Sequence, residues 1–294
     1  MSLPNFMCIG AAKSGTTTLY DILRQHPEVF IPTFKEPHFF DIPSVYKKGI
    51  SWYEKTYYKS VKNQKCIGDF TPSYFYEKKA AKRIFDDLGK DVKFIVMLRN
   101  PVDRAYSHYL HSVRDEREGL SFLEAIAIEQ ERLQNYSEKD DYLNNLRHSY
   151  VSQGQYGKML QSYLEYFPIN NFLLIHFEED FIKNREQTID TVYEFLGLDK
   201  TYQFDINIKS NPASKARSKA LKKIMQKTGW WRKSLKMLLP SQLIQIVKNK
   251  IQRANISSFT PKPFPLDKRK EIFDKYFSGD VITFEHTINR EMNW

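Results

Sequence analysis

The chain has 294 residues, 41% of them hydrophobic and 15% aromatic, which is enough to bury one sizeable core, and it carries no internal repeat or low-complexity segment, which excludes a solenoid or a linker-like polymer. A net charge of +10 favours encounter with anionic ligands such as nucleotides, acidic glycans or anionic membrane surfaces, without choosing among them. The two cysteines, Cys8 and Cys66, sit in short apolar runs and read as buried free thiols, and no stretch reaches the ~20 apolar residues of a membrane span.

In chain order, Asn5 to Gly10 is a short apolar run ending in glycine, followed by Ser14-Gly15-Thr16 and the periodic Thr18, Leu19, Ile22 and Leu23, which predicts strand, turn and helix. Gln64 to Gly68 reads as a second strand, and Tyr76 to Leu88 has helical spacing. Lys93 to Leu98 is nearly continuously apolar, as in a parallel strand covered on both faces. It ends at Arg99-Asn100-Pro101, where Pro101 suits the first position of a helix running through Tyr109. Helices are expected at about Ser121 to Gln134 and Tyr150 to Phe167, then a strand at Asn171 to His176 and a helix near Glu186 to Leu196. The alternation implies an α/β fold, P-loop-like and three-layered, with a central parallel sheet flanked by helices.

Beyond residue 205 basic residues crowd together from Lys215 and Arg217 to Lys236, and this reads as a basic helical appendage, an insertion at about 210–260 within one domain spanning 1–294. Its charge serves either as a solvated helix face or as a ligand- or membrane-facing surface. The stretch from Phe264 to Trp294 has enough apolar periodicity to pack back on the core. The apolar run around Phe6 to Ala12 is short and lacks a basic leader, so no signal peptide is read and the cytoplasm is the expected compartment.

Gly10-Ala11-Ala12-Lys13-Ser14-Gly15-Thr16-Thr17 keeps the Gly-x4-Gly frame in which successive backbone N–H groups surround a phosphate at a helix N-terminus. Its lysine is displaced. In the usual nucleotide loop the lysine follows the second glycine and precedes a metal-binding Ser or Thr, whereas Lys13 precedes Gly15. The strand expected to supply a metal-binding aspartate ends instead in Leu98-Arg99, so the magnesium site has lost that partner too.

The Lys-x-Gly-Thr-Thr order after an N-terminal strand resembles the 5′-phosphosulfate loop of the sulfotransferases that use 3′-phosphoadenosine 5′-phosphosulfate (PAPS). Arg99-Asn-Pro-Val-Asp-Arg-Ala-Tyr-Ser107 resembles that family's 3′-phosphate segment. Lys35-Glu-Pro-His-Phe-Phe40, Gly49-Ile-Ser-Trp-Tyr53 and the closing Trp294 are similar to its heparan sulfate branch. The resemblance spans nearly the whole chain in order and is weakest between 205 and 262. It implies transfer of a sulfuryl group from PAPS, leaving adenosine 3′,5′-bisphosphate, to a hydroxyl or amine of an acceptor, with a saccharide or glycolipid favoured. No metal and no nucleic acid are expected, peripheral membrane contact is compatible, and the oligomeric state is not indicated.

A sulfuryl group carries less charge than a γ-phosphoryl, so catalysis reduces to alignment and stabilisation of the leaving phosphate oxygen. Lys13 is assigned to the bridging oxygen and 5′-phosphate, with Ser14, Gly15, Thr16, Thr17 and Thr18 completing the cradle. Arg99 and Ser107 are expected to grip the 3′-phosphate, the alternative for Arg99 being an ion pair with Asp103, while Arg104 reads as surface or structural. An acceptor proton calls for a general base. Glu36 is the candidate, as in the branch this chain resembles; preceding Pro37, it is expected to be extended, with Glu36 and His38 on one side of the segment. His38 either orients the acceptor, shares the proton or is a core histidine, and Asp41 either assists by hydrogen bonding or caps the loop.

Two departures stand out. In the heparan-type pattern a lysine follows the acidic residue of the segment matching Asp69-Phe-Thr-Pro-Ser-Tyr74, and this chain has Phe70, an apolar ring that cannot hold a sulfate or carboxylate. A closing Lys-Gly-Arg triplet is also missing, with Arg217, ahead of Lys215 and Lys262, as its substitute. Tyr156 either flanks the adenine or packs. A P-loop kinase or NTPase would need the lysine and acid that are displaced or missing. A non-enzymatic polyanion-binding protein would explain the basic region but not Glu36 beside an anion loop.

Overall fold

Strands buried on both faces make a parallel sheet, and here they do so in the order β2-β3-β1-β4-β5. They are β1 (Phe6–Gly10), β2 (Val29–Phe30), β3 (Cys66–Phe70), β4 (Lys93–Leu98) and β5 (Phe172–His176), all paired in parallel. The computed structural model describes residues 2–202, 205–208, 214–216, 256–258 and 264–294.

Side chains alternate across each strand, and the alternation builds two cores. On one face Met7, Ile9, Phe94, Val96 and Leu98 meet α4 (Lys78–Leu88) and α9 (Tyr156–Leu164). On the other, Phe6, Cys8, Ile95 and Met97 meet α1 (Thr16–Leu23) and α10 (Arg185–Leu196). The result is the expected three layers. Burial of Cys8 pushes its thiol up to about 12, and both cysteines are free.

The strand order places the carboxyl ends of β3, β1, β4 and β5 side by side, the edge at which open α/β sheets bind ligands. α5 (Pro101–Arg114) leaves β4 there, capped by the Asn100 side chain, which accepts from the amides of Val102 and Asp103. The C-terminal helices α11 (Leu266–Tyr276) and α12 (Ser278–Ile288) pack back on the same unit. Asp280 accepts from the amides of Gly157 and Lys158 at the start of α9, and Arg269 pairs with Asp103 at 2.6 Å. Asp103 is therefore spent on α11, not on Arg99.

Several elements differ from the sequence reading. The helix expected at Ser121 to Gln134 divides into α6 (Phe122–Ala127) and α7 (Glu129–Glu138). The division falls at Glu129, which is buried and accepts from Val151 N, Ser152 N and Ser152 Oγ, a tertiary demand invisible in local periodicity. The helix expected from Tyr150 starts as a 3-10 turn over Ser152–Gly154 before α9. Short helices α2 (Pro43–Tyr46), α3 (Ile50–Tyr53) with a π-turn at Glu54–Tyr58, and α8 (Tyr142–His148) carry too few residues to show a period.

The chain divides into two compact units, 1–210 with 264–294, and 211–263. In the second, the described residues form an antiparallel ladder of β6 (Ser214–Ala216) and β7 (Ile256–Ser258), and the helical appendage expected between them lies outside the described residues. Among the described residues no helix is long and apolar enough to cross a membrane.

Candidate active site

The loop after β1 is drawn against β4: Ala11 N donates to Met97 O at 2.7 Å, and Arg99 Nη1 donates to Lys13 O at 3.2 Å. Lys13 itself has φ 73° and Gly15 φ 86°, so the chain makes two left-handed steps before α1 begins. At Gly15 a Cβ would lie 2.7 Å from the Phe177 ring, so glycine is required there by both backbone and neighbour. Thr18 N donates to Gly15 O at 2.9 Å, while the earlier amides of a helix's first turn have no acceptor within the helix. Thr16 and Thr18 are buried, Thr17 is half-buried, and the fully buried Ser14 Oγ has no hydrogen-bond partner.

Lys13 is mostly buried, and no hydrogen bond or ion pair of its Nζ is found among the described residues. Burial, then the charge of Arg114, lowers its pKa to about 8, against the opposing pull of Glu36 and Asp115. The loop thus holds a cation with no paired anion among the described residues.

Further cations surround it. Arg99 pairs with Glu178 at 3.7 Å and lies over the Phe177 ring at 5.4 Å, leaving its buried Nε without a hydrogen bond. Arg104, read from sequence as surface or structural, is wholly buried. One nitrogen donates to Tyr150 O, while Nε and Nη1 have no partner. One turn on, buried His108 also has an unpartnered Nδ1, and burial together with the charges of Arg104 and Lys13 holds its pKa well below the usual histidine range. Ser107 is half-buried two turns into α5. Tyr156 packs, its ring tilted against Trp294 with centroids 5.4 Å apart, and donates to Arg99 O at 2.8 Å, which fixes the strand end that carries Arg99. Buried donors left without acceptors are costly. Ser14, Arg99 and Arg104 each keep a buried donor without a hydrogen-bond acceptor.

Across the loop lies the segment Lys35 to Asp41. Glu36 and His38 have φ 63° and 53°, so the segment is not extended as expected from Pro37. The bias of a pre-proline residue yields to anchoring, because Glu36 N donates to Phe70 O at the end of β3. The two side chains nevertheless meet, with Glu36 Oε2 3.8 Å from His38 Nε2. His38 Nδ1 lies 2.8 Å from Asp41 Oδ2, which also accepts from Ser73 Oγ at 2.5 Å and from Tyr142 OH at 3.2 Å. Burial works against a charged His38, but the hydrogen bond and charge of Asp41, with Glu36 and Asp69 behind them, raise its pKa. Asp41 thus orients His38. Phe39 and Phe40 are core.

Phe70 turns its ring away from this side, edge-on to Phe6 and Tyr20 in the core beneath α1, and adds no charge. Its neighbour Asp69 faces the opposite way, fully buried, accepting from Tyr53, Tyr74 and Thr71, and burial lifts its pKa to about 6 against those bonds.

Arg217 and Lys262 lie outside the described residues, and Lys215 is described in its backbone alone. Sequence reasoning missed Ser73, Tyr142, His111, Arg114 and Glu178. The α5 register offered a signal for two of them, since His111 and Arg114 stand four and seven residues beyond Ser107, on one helix face. Burial, then Lys13 and Arg114, lowers His111 to about 4, while Asp115 and Glu36 oppose. Among the described residues, no group of three His, Cys, Asp or Glu side chains is placed to hold a metal ion.

The sulfotransferase domain model matches residues 3–260. The mouse heparan sulfate glucosamine 3-O-sulfotransferase 3B1 is 32% identical over 208 residues, 69% of this chain and 50% of that protein, and its human counterpart is 33% identical over the same length. The chain therefore spans about half the length of these curated relatives. The Dictyostelium discoideum membrane-associated sulfotransferase kil1 is 43% identical over 116 residues, 39% of this chain and 24% of that protein. A crystal structure of a sulfotransferase from Alicyclobacillus acidocaldarius superposes with a TM-score of 0.70 at 27% identity, covering 99% of this chain and 98% of that one. A model match over most of the chain, together with a fold shared end to end, makes this chain a member of the sulfotransferase domain family.

Proposed function

We propose that the protein transfers a sulfuryl group from PAPS to a hydroxyl or amine of a saccharide acceptor. The observation that carries this reading is the convergence, at the carboxyl ends of adjacent parallel strands, of two things. One is an anion cradle with unspent buried donors at Ser14, Arg99 and Arg104; the other is the Glu36–His38–Asp41 chain, charge-coupled to Lys13. A cradle alone describes a binder. A carboxylate and an oriented imidazole beside it describe a transferase.

In this reading the loop amides with Ser14, Gly15, Thr16, Thr17 and Thr18 hold the 5′-phosphosulfate, and Lys13 neutralises charge on the leaving oxygen. Arg99 and Ser107 read the 3′-phosphate; Arg99 exchanges Glu178 for it. Arg217 remains the proposed closing cation. The donor supplies the activated sulfuryl group, and this chain's residues supply the rest. Glu36 accepts the acceptor's proton as the new bond forms. Asp41 fixes the tautomer and plane of His38, which orients the acceptor. The saccharide assignment is supported by the names of the glucosamine 3-O-sulfotransferase relatives and by the net charge of +10.

The test is transfer of sulfur-35 from labelled PAPS into a panel of glycosaminoglycan and glycolipid acceptors. Label in a saccharide that disappears with Glu36→Gln, while donor binding persists, supports the reading. Full transfer by that variant removes Glu36 as base, and phosphoryl transfer from ATP under the same conditions overturns the donor.

A further inference from the structure

Lys35 is the cation in contact with Glu36. It stands on the segment after β2 with its side chain only 15% exposed, and its Nζ donates to Glu36 Oε1. The other carboxylate oxygen, Oε2, is the one facing His38 Nε2. The two oxygens are thus divided between two tasks, one held and one presented.

The division matters because the terminal torsion of a glutamate is broad and nearly two-fold, so a carboxylate gripped by nothing spreads its lone pairs over many directions. Glu36 is 41% exposed in its side chain, and among the described residues Lys35 and His38 are the only side chains that pair with it. Its main chain is pinned separately by Phe70 O, so what remains to be fixed is the carboxylate itself. β3 offers no help, since Phe70 spends its ring in the core. Holding a long, flexible lysine largely buried costs rotamer entropy and desolvation, and pairing it with a carboxylate that stays 41% exposed offsets that cost only in part. The position is explained by geometry better than by stability.

We propose that Lys35 is the positioning residue of the proton-accepting carboxylate, fixing Glu36 Oε1 so that Oε2 meets the acceptor beside His38; this rests on Glu36 being the base. In the transfer, the acceptor's lone pair forms the bond to sulfur. The bond from sulfur to the 5′-phosphate oxygen breaks, its electron pair leaving on that oxygen, and the acceptor's proton passes to Glu36 Oε2. Lys35 keeps its own proton throughout.

The experiment follows release of adenosine 3′,5′-bisphosphate from PAPS in the presence of an N-sulfated heparosan hexasaccharide, a readout that also counts water as acceptor. Lys35→Met should lower kcat by about 10–100-fold, a share of the 10²–10⁴ that a positioned base contributes, with KM for PAPS changed by less than about twofold. Lys35→Arg should keep most of the rate, and added propylammonium should restore Lys35→Ala saturably, which a merely structural loss would not allow. An unchanged kcat in Lys35→Met, alongside an inactive Glu36→Gln, overturns the role of Lys35 alone. Equal losses of donor affinity and kcat place Lys35 on the donor and overturn it too. A fully active Glu36→Gln instead brings down the base on which the proposal rests.

Discussion

Burial brings the Lys13 ammonium down to about 8, so its titration falls where a binding assay can follow it. A polyanionic donor favours the charged form, which means that binding at higher pH must first return a proton to the amine. Affinity for adenosine 3′,5′-bisphosphate should therefore be full below about pH 7 and fall as pH rises through 8, with net proton uptake seen as a buffer-dependent calorimetric heat. A flat profile from pH 7 to 9.5 would detach Lys13 from the phosphate. Arg99→Ala should weaken the bisphosphate by about 1.5–3 kcal/mol, the worth of a charge-assisted hydrogen bond, and adenosine 5′-phosphate much less. Equal losses for both nucleotides would mean that Arg99 does not read the 3′ group. Lys13, Glu36 and Arg99 were legible as candidates because each stands at a fixed place in a motif. The left-handed backbone of Glu36 was not, since proline argues for an extended neighbour and only the distant Phe70 carbonyl explains the departure. Nor was the burial of Arg104, which depends on Tyr150 arriving from another element.

At the scale of elements, β4 and α5 were the most readable pair: a continuous apolar run and a proline at the first helical turn leave little choice. α5 runs to Arg114, past the expected Tyr109, and that extra turn carries His111 and Arg114, whose charge bears on Lys13. The break between α6 and α7 was unreadable because no proline or glycine marks it; the buried Glu129 carboxylate is satisfied by amides of a later turn. α1 offers the sharpest test of an element's role. Gly15→Ala forces a left-handed alanine, at about 1–2 kcal/mol, and sets its Cβ against Phe177. Thermal melting should drop and bisphosphate affinity should fall with it, whereas Gly279→Ala, at a glycine with nothing within 4 Å of an added Cβ, should leave affinity unchanged. Unaltered binding by Gly15→Ala would show that the loop tolerates another path into the helix.

For the whole molecule, a charge of +10 acts over distances that individual contacts do not, and at 0.1 M salt it is screened beyond about 10 Å. KM for a sulfated saccharide should therefore rise with salt more steeply than KM for a neutral acceptor, and identical salt slopes would confine acceptor recognition to short-range contacts. The C-terminal helices belong to the same argument, since Phe284, Met292 and Trp294 close the core behind Arg99 through Tyr156. The three-layer architecture was legible because strand and helix periods alternate along the chain; the site was legible only in part because its second half depends on charges assembled from separate elements. In the proposed function the cradle takes a 3′-phosphorylated adenine nucleotide without help from a metal, which calorimetry with adenosine 3′,5′-bisphosphate and with ATP, each with magnesium and with chelator, puts to the test. Tight bisphosphate binding indifferent to magnesium, with little affinity for ATP, is the predicted result; tight ATP binding that requires magnesium would contradict it.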